Sequence, residues 1–137
     1  MSMNQEIKAR WTAALRSGEY QQGKGVLRKN GKLCCLGVLC ELAVKDGVIT
    51  SAISYPDDDY SFTEYGEFGE ELNLPLAVMG WAGLDSSNPE VDLSSAPEGV
   101  IFKPGGNVSS TESPSLAGIN DSGTPFAVIA DVIDAQF

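Results

Sequence analysis

The side chains with the greatest intrinsic reactivity in this sequence are three cysteines, Cys34, Cys35 and Cys40. Cys34-Cys35 falls where a strand is expected to pass into a helix. That would put Cys35 at a helix N-terminus, where amide N–H groups and the helix dipole lower a thiol pKa. The chain contains no histidine, so the usual cysteine–histidine pair cannot form within it. Unpaired cysteine is also among the most buried residue types, and the three are read as structural. They lack a fourth soft ligand and the standard spacing of a zinc site. Neither a metal nor a cofactor is expected.

Residues 18–24, GEYQQGK, match the first seven positions of the P-loop pattern G-x-x-x-x-G-K. The eighth is Gly25, where that pattern needs a Ser or Thr hydroxyl for Mg²⁺. The stretch also follows a helix and precedes a strand, the reverse of a P-loop, so triphosphate hydrolysis is not expected. A glycine-flanked lysine can still receive an anion on exposed backbone N–H groups. Lys24 and Arg28, with Tyr20 stacking and the N–H groups of Gly23 and Gly25 donating, are therefore expected to form the wall of an anion site. Asp121 is expected to help orient the ligand. Asp57-Asp58-Asp59 resembles a calcium loop, but its sixth position would be Phe62 and its twelfth Phe68, where glycine and glutamate are needed. It reads as a solvated turn.

These residues are positioned by elements the sequence marks with varying clarity. Over residues 4–17, Ile7, Trp11, Ala14 and Leu15 lie at i, i+4, i+7 and i+8 of an amphipathic helix that Gly18 ends, with Lys8 and Arg16 on a basic, wet side. Asn30-Gly31 marks a type I′ hairpin over 25–35. Residues 36–46 are apolar on nearly every face and read as a buried helix whose wet edge is Glu41 and Lys45. Residues 48–74 are the least legible: 48–55 reads as a strand, 56–59 as a turn and 60–65 as a weak alternation. A short helix follows Pro75 and closes at Gly83. Strands are expected at 90–93 and 100–103, a polar loop at 104–115, and a turn at 120–123. Thr124 is expected as the N-cap, with Pro125 in the first turn, of an amphipathic helix running to Gln136. The fold class expected is α+β, in one domain over 1–137: a small antiparallel sheet built on the 25–35 hairpin, packed by the buried 36–46 helix and by the N- and C-terminal amphipathic helices.

The chain has 137 residues and a net charge of −10, distributed unevenly. Residues 1–32 hold seven Lys/Arg against Glu6 and Glu19, a local charge of +5, and the remainder carries −15. Direct nucleic-acid binding is not expected of so acidic a chain. No apolar run reaches the ~18 residues of a membrane span, so no membrane association is expected. The N-terminus lacks the apolar segment of a signal peptide, and the odd cysteine count fits a reducing compartment. A cytoplasmic location follows; self-association into a homo-oligomer is left open.

Three segments, RWTAALRSGEYQQGKGVLRKNGKLCCLGVLCEL at 10–42, LPLAVMGWAGL at 74–84 and LAGINDSGTPFAVIADVID at 116–134, resemble a recurring family of small proteins encoded by bacteriophages and prophages. Residues 48–72 and 85–114 lie outside the likeness. What the resemblance implies is a setting, the host cytoplasm, and an accessory role such as counter-defence. Within it the leading expectation is a non-enzymatic protein that sequesters a small anionic, nucleotide-like ligand at Tyr20, Gly23, Lys24, Gly25, Arg28 and Asp121. The alternative is an acidic inhibitor that imitates nucleic acid and occupies a basic site on a host defence protein. A cysteine-dependent enzyme ranks last.

Overall fold

The computed structural model describes residues 3–103 and 114–137. The elements run α1 (Gln5–Ser17), β1 (Arg28–Lys29), β2 (Lys32–Leu33), α2 (Cys35–Lys45), β3 (Ser51–Asp57), β4 (Tyr60–Tyr65), α3 (Leu76–Ala82), a 3-10 turn (Leu93–Ser95), α4 (Leu116–Asp121) and α5 (Phe126–Gln136). The four strands pair antiparallel in the order β2-β1-β4-β3, which makes this a small α+β fold. None of the described helices is long and apolar enough to cross a membrane.

α1 starts because the Asn4 side chain accepts the N–H groups of Glu6 and Ile7, and it stops at Gly18, whose φ of 80° favours a residue without Cβ. Its buried stripe of Ile7, Trp11 and Leu15 packs chiefly on α5. Its basic side is wet at Arg16, as expected, but its cations are not free. Arg16 is bridged to Asp131 and Asp134 of α5 at 2.8 and 2.7 Å, the Lys8 ammonium donates to the Asp134 carbonyl, and Arg10 forms a two-pronged pair with Asp46. Much of the positive charge of the first 32 residues is thus matched within the molecule.

α2 is the centre of the core. Cys35 through Cys40, Leu42 and Ala43 are buried, and the helix meets α1, α3, α4 and β2. Gly37 lets it lie directly on the backbone of Leu27: a Cβ there would collide with the Leu27 carbonyl oxygen and come within 2.9 Å of its carbon. Trp11 donates its indole N–H to the Cys35 carbonyl at 2.9 Å, locking α1 to the first turn of α2.

The Asn30-Gly31 turn has positive φ at both residues, 52° and 80°, as a type I′ turn requires. Yet β1 and β2 are only two residues each, and most of the sheet's pairing lies in the β3–β4 hairpin, from Ser51↔Tyr65 to Asp57↔Tyr60 with a bulge between Ser54 and Asp57. Other expectations shift further. The strand expected at 90–93 reduces to a single bridge, Glu90↔Ser115, and residues 100–103 form no strand. Residues 120–121 end α4 rather than opening a turn. Thr124 is not a cap. It is buried, and its hydroxyl donates to the Ile101 carbonyl and accepts the Ile101 N–H, both at 2.8 Å, while Pro125 occupies the cap position of α5. The expected polar loop at 104–115 lies, as far as residue 113, outside the described residues.

Candidate functional site

The loop that carries the expected anion wall, residues 18–27, is fixed from below by one side chain. Asn120 is fully buried at the end of α4 and makes four hydrogen bonds. Its amide donates to the Gly23 carbonyl (2.9 Å) and to Asp121 Oδ1 (3.1 Å); its oxygen accepts from the Gln22 amide (3.0 Å) and the Cys35 N–H (3.2 Å). The last of these satisfies an amide in the first turn of α2, where Cys34 supplies no side-chain cap. Asp121 Oδ1 in turn accepts the Gly25 N–H at 3.0 Å, and the Gly23 N–H donates to Leu33. The backbone donors expected to face an anion at Gly23 and Gly25 are therefore engaged inside the protein. What the loop presents is the Lys24 side chain, exposed between two anchored glycines.

The six expected site residues do not converge on one place. Lys24 and Asp121 line a cleft of about 760 Å³ together with Asn88, Glu90, Phe102, Lys103 and the Ser115–Ser122 side of α4. Phe102 reaches this wall because Gly118 has no side chain: a Cβ on Gly118 would lie 3.0 Å from the ring. Lys103 is held through its backbone N–H, which donates to the Ser122 hydroxyl at 2.8 Å. Among the described residues neither the Lys24 nor the Lys103 ammonium has a hydrogen-bond or ion-pair partner.

Tyr20 and Arg28 instead line a separate cavity of about 360 Å³ with Glu19, Glu41 and Lys45. There Arg28 pairs with Glu41 at 3.2 Å, and the second Glu41 oxygen accepts the Tyr65 hydroxyl at 2.6 Å. Burial raises the Tyr65 pKa, and the Glu41 carboxylate adds to the effect. Lys45 donates to the Tyr20 oxygen at 3.1 Å and lies 5.7 Å from its ring centroid, and that bond holds the ammonium pKa up. This is a closed exchange of charge, with Arg28 and Lys45 each already holding a partner.

The cysteines sit in the core. Burial pushes the Cys34 thiol up to about 11, against the opposing pull of the Gly37 and Leu36 amides. Burial likewise raises Cys35 and Cys40, and the Cys35 thiol donates to the Leu116 carbonyl at 3.5 Å. The position at the start of α2 that would acidify a thiol is outweighed by the loss of water around it. Among the described residues no group of three or more His, Cys, Asp or Glu side chains gathers as metal ligands would.

Asn120, Lys103 and Phe102 were not singled out by sequence reasoning. Asn120 did leave a trace, since Leu116, Ile119 and Asn120 form an i, i+3, i+4 stripe, and a polar residue on a buried stripe must find partners. A family model covers residues 3–137 of the chain. The protein belongs to the family described as Domain of unknown function (DUF8296). No curated protein and no solved structure matches it. Membership of DUF8296 names no activity.

Proposed function

We propose that this protein binds and holds a small anionic, nucleotide-like ligand in the cleft between Lys24, Phe102 and α4, without turning it over. The observation that carries the reading is the pair of ammonium groups, Lys24 and Lys103, lining one cleft with the Phe102 ring while holding no partner among the described residues. At about 760 Å³ the cleft falls in the range of small-molecule sites. Two lysines offer donors to a phosphate, the ring offers a flat apolar face to a base, and the carboxylates of Asp121 and Glu90 can accept from ribose hydroxyls. The buried, neutral thiols support binding over catalysis. The host cytoplasm and a counter-defence role in a phage accessory protein complete this reading, on the strength of the sequence resemblance.

Calorimetry against linear and cyclic nucleotides, with adenosine and inorganic phosphate as partial ligands, tests it. A charge-assisted hydrogen bond contributes roughly 1.5–3 kcal/mol. Lys24→Ala and Lys103→Ala should each weaken binding about 10- to 100-fold, with the melting temperature unchanged. Arg28→Ala should leave affinity intact, since Arg28 faces the other cavity. If no nucleotide gives heat, the reading fails.

A further inference from the structure

Five of the large apolar side chains that face solvent come from one stretch of chain: Ile53, Tyr55, Phe68, Leu72 and Leu76, exposed from 52% at Ile53 to 78% at Phe68. The same stretch, residues 51–76, holds seven acids (Asp57, Asp58, Asp59, Glu64, Glu67, Glu70 and Glu71) and no Lys or Arg. Its parts are tied together at the base of the β3–β4 hairpin. Gly66 donates its N–H to Thr50 at 2.9 Å and lies against the Pro75 ring, and Tyr65 exchanges backbone hydrogen bonds with Glu70. The hairpin is also anchored to the core, because Tyr65 is buried and bonded to Glu41. Together these five side chains expose on the order of 500 Å² of apolar surface along one stretch of chain.

We propose that residues 51–76 form a docking surface for a basic protein partner, one that offers an apolar patch ringed by Lys or Arg side chains. Charge selects this occupant. A second copy of the chain would bring seven acids against seven acids, and an anionic lipid surface or a nucleic acid would be repelled in the same way. Recognition runs through side chains rather than strand addition. Pro56 removes a backbone donor from the open edge of β3, and the bulge between Ser54 and Asp57 turns that edge away from regular pairing. The surface is independent of the Lys24–Lys103 cleft, so either can fail without the other.

The test uses the full chain and a synthetic amphipathic helical peptide with leucines on one face and lysines on the other. Comparison probes are an oligolysine of equal charge, the Leu/Glu version of the peptide, and anionic vesicles. The expected result is a Leu/Lys peptide binding at least 10-fold tighter than oligolysine, with hydrogen-exchange protection confined to residues 51–76. The double variant Tyr55→Ser, Phe68→Ser should lose 10-fold or more in affinity, and Lys24→Ala none. Both replaced residues are exposed, and an unchanged melting temperature confirms that the variant folds. Equal binding by oligolysine, an unaffected double variant, protection elsewhere, vesicle binding, or a dimer in sedimentation that the double variant abolishes would each overturn the proposal.

Discussion

In the frame made by α1, α2, α4 and α5, cations meet carboxylates and apolar side chains meet each other: Arg16 reaches Asp131 and Asp134, Arg10 reaches Asp46, and Trp11, Leu36, Ile119 and Ile129 are fully enclosed. Between Ser51 and Leu76 the chain carries seven acids and no Lys or Arg, and Tyr55, Phe68 and Leu76 stand in water. The first region maximises burial and charge pairing, which determine whether the chain folds. The second leaves large apolar side chains uncovered on an anchored hairpin, as a surface for recognition does. Side-chain replacement should therefore be costly in one region and nearly free in the other.

The sharpest way to break this contrast is at the helical glycines. Gly37→Ala places a Cβ against the Leu27 carbonyl, and neither α2 nor residue 27 can retreat, because α2 is packed on nearly all sides. A loss of about 3–4 kcal/mol in urea unfolding is expected, at or above the usual overpacking range because the obstacle is backbone. A variant as stable as the parent would mean that α2 does not rest on Leu27.

Asn120→Ala comes next. It strips the partner from the Gly23 carbonyl and the buried Cys35 N–H together, and leaves the Gln22 amide only its bond to the Thr124 carbonyl. Orphaned buried groups cost about 1–3 kcal/mol each where water cannot reach them, and about 3 kcal/mol in total is expected. The loop bearing Lys24 should loosen at the same time, so hydrogen exchange at residues 22–25 should rise more than at β3–β4. Uniform loosening across the chain would count against Asn120 as the local anchor.

Alkaline pH probes the same region through its thiols. The folded state keeps the Cys34 proton up to about 11, whereas an unfolded thiol releases it near 8.5. The unfolded chain therefore binds fewer protons above that point, and stability falls as pH rises. This contribution is fully present below about pH 8.5 and declines towards 11, by roughly 3 kcal/mol for Cys34. Iodoacetamide should correspondingly label the native protein slowly at pH 7 and the urea-unfolded protein fast. Rapid labelling of a native thiol would mean that the core is open.

How much of this was legible in the sequence depended on whether the governing contact was local. The caps at Gly18 and Gly83, the turn at Asn30-Gly31 and a buried helix with Glu41 and Lys45 at its wet edge follow from dihedral preference and periodicity, and all are found. Thr124 looked like a cap because hydroxyls before a helix usually are. It serves Ile101 instead, 23 residues away, and that partner leaves no mark beside it. The Gly23 and Gly25 N–H groups are expected to join Lys24, Arg28 and Tyr20 in the anion wall because glycine's local freedom suits an anion. Both N–H groups are claimed by Leu33 and by Asp121, the latter 96 residues on. The basic N-terminal charge suggested a free surface because the acids that meet it, Asp131 and Asp134, stand at the far end of the chain.

The smallest expected effect has the opposite sign and belongs to α3, just past the second region. Gly80 lies inside α3, exposed, with helical φ and nothing within 4 Å of where a Cβ would stand. Here glycine serves neither close approach nor a positive φ, and it leaves the unfolded chain more freedom than alanine would. Gly80→Ala should therefore stabilise the protein by about 0.5–1 kcal/mol. The same substitution, glycine to alanine within a helix, would thus destabilise in α2 and stabilise in α3. Urea unfolding of both variants beside the parent measures the pair. If Gly80→Ala lowers the midpoint, something packs on α3 that the fold does not show, and the free outer surface assigned to the middle of the chain would have to shrink accordingly.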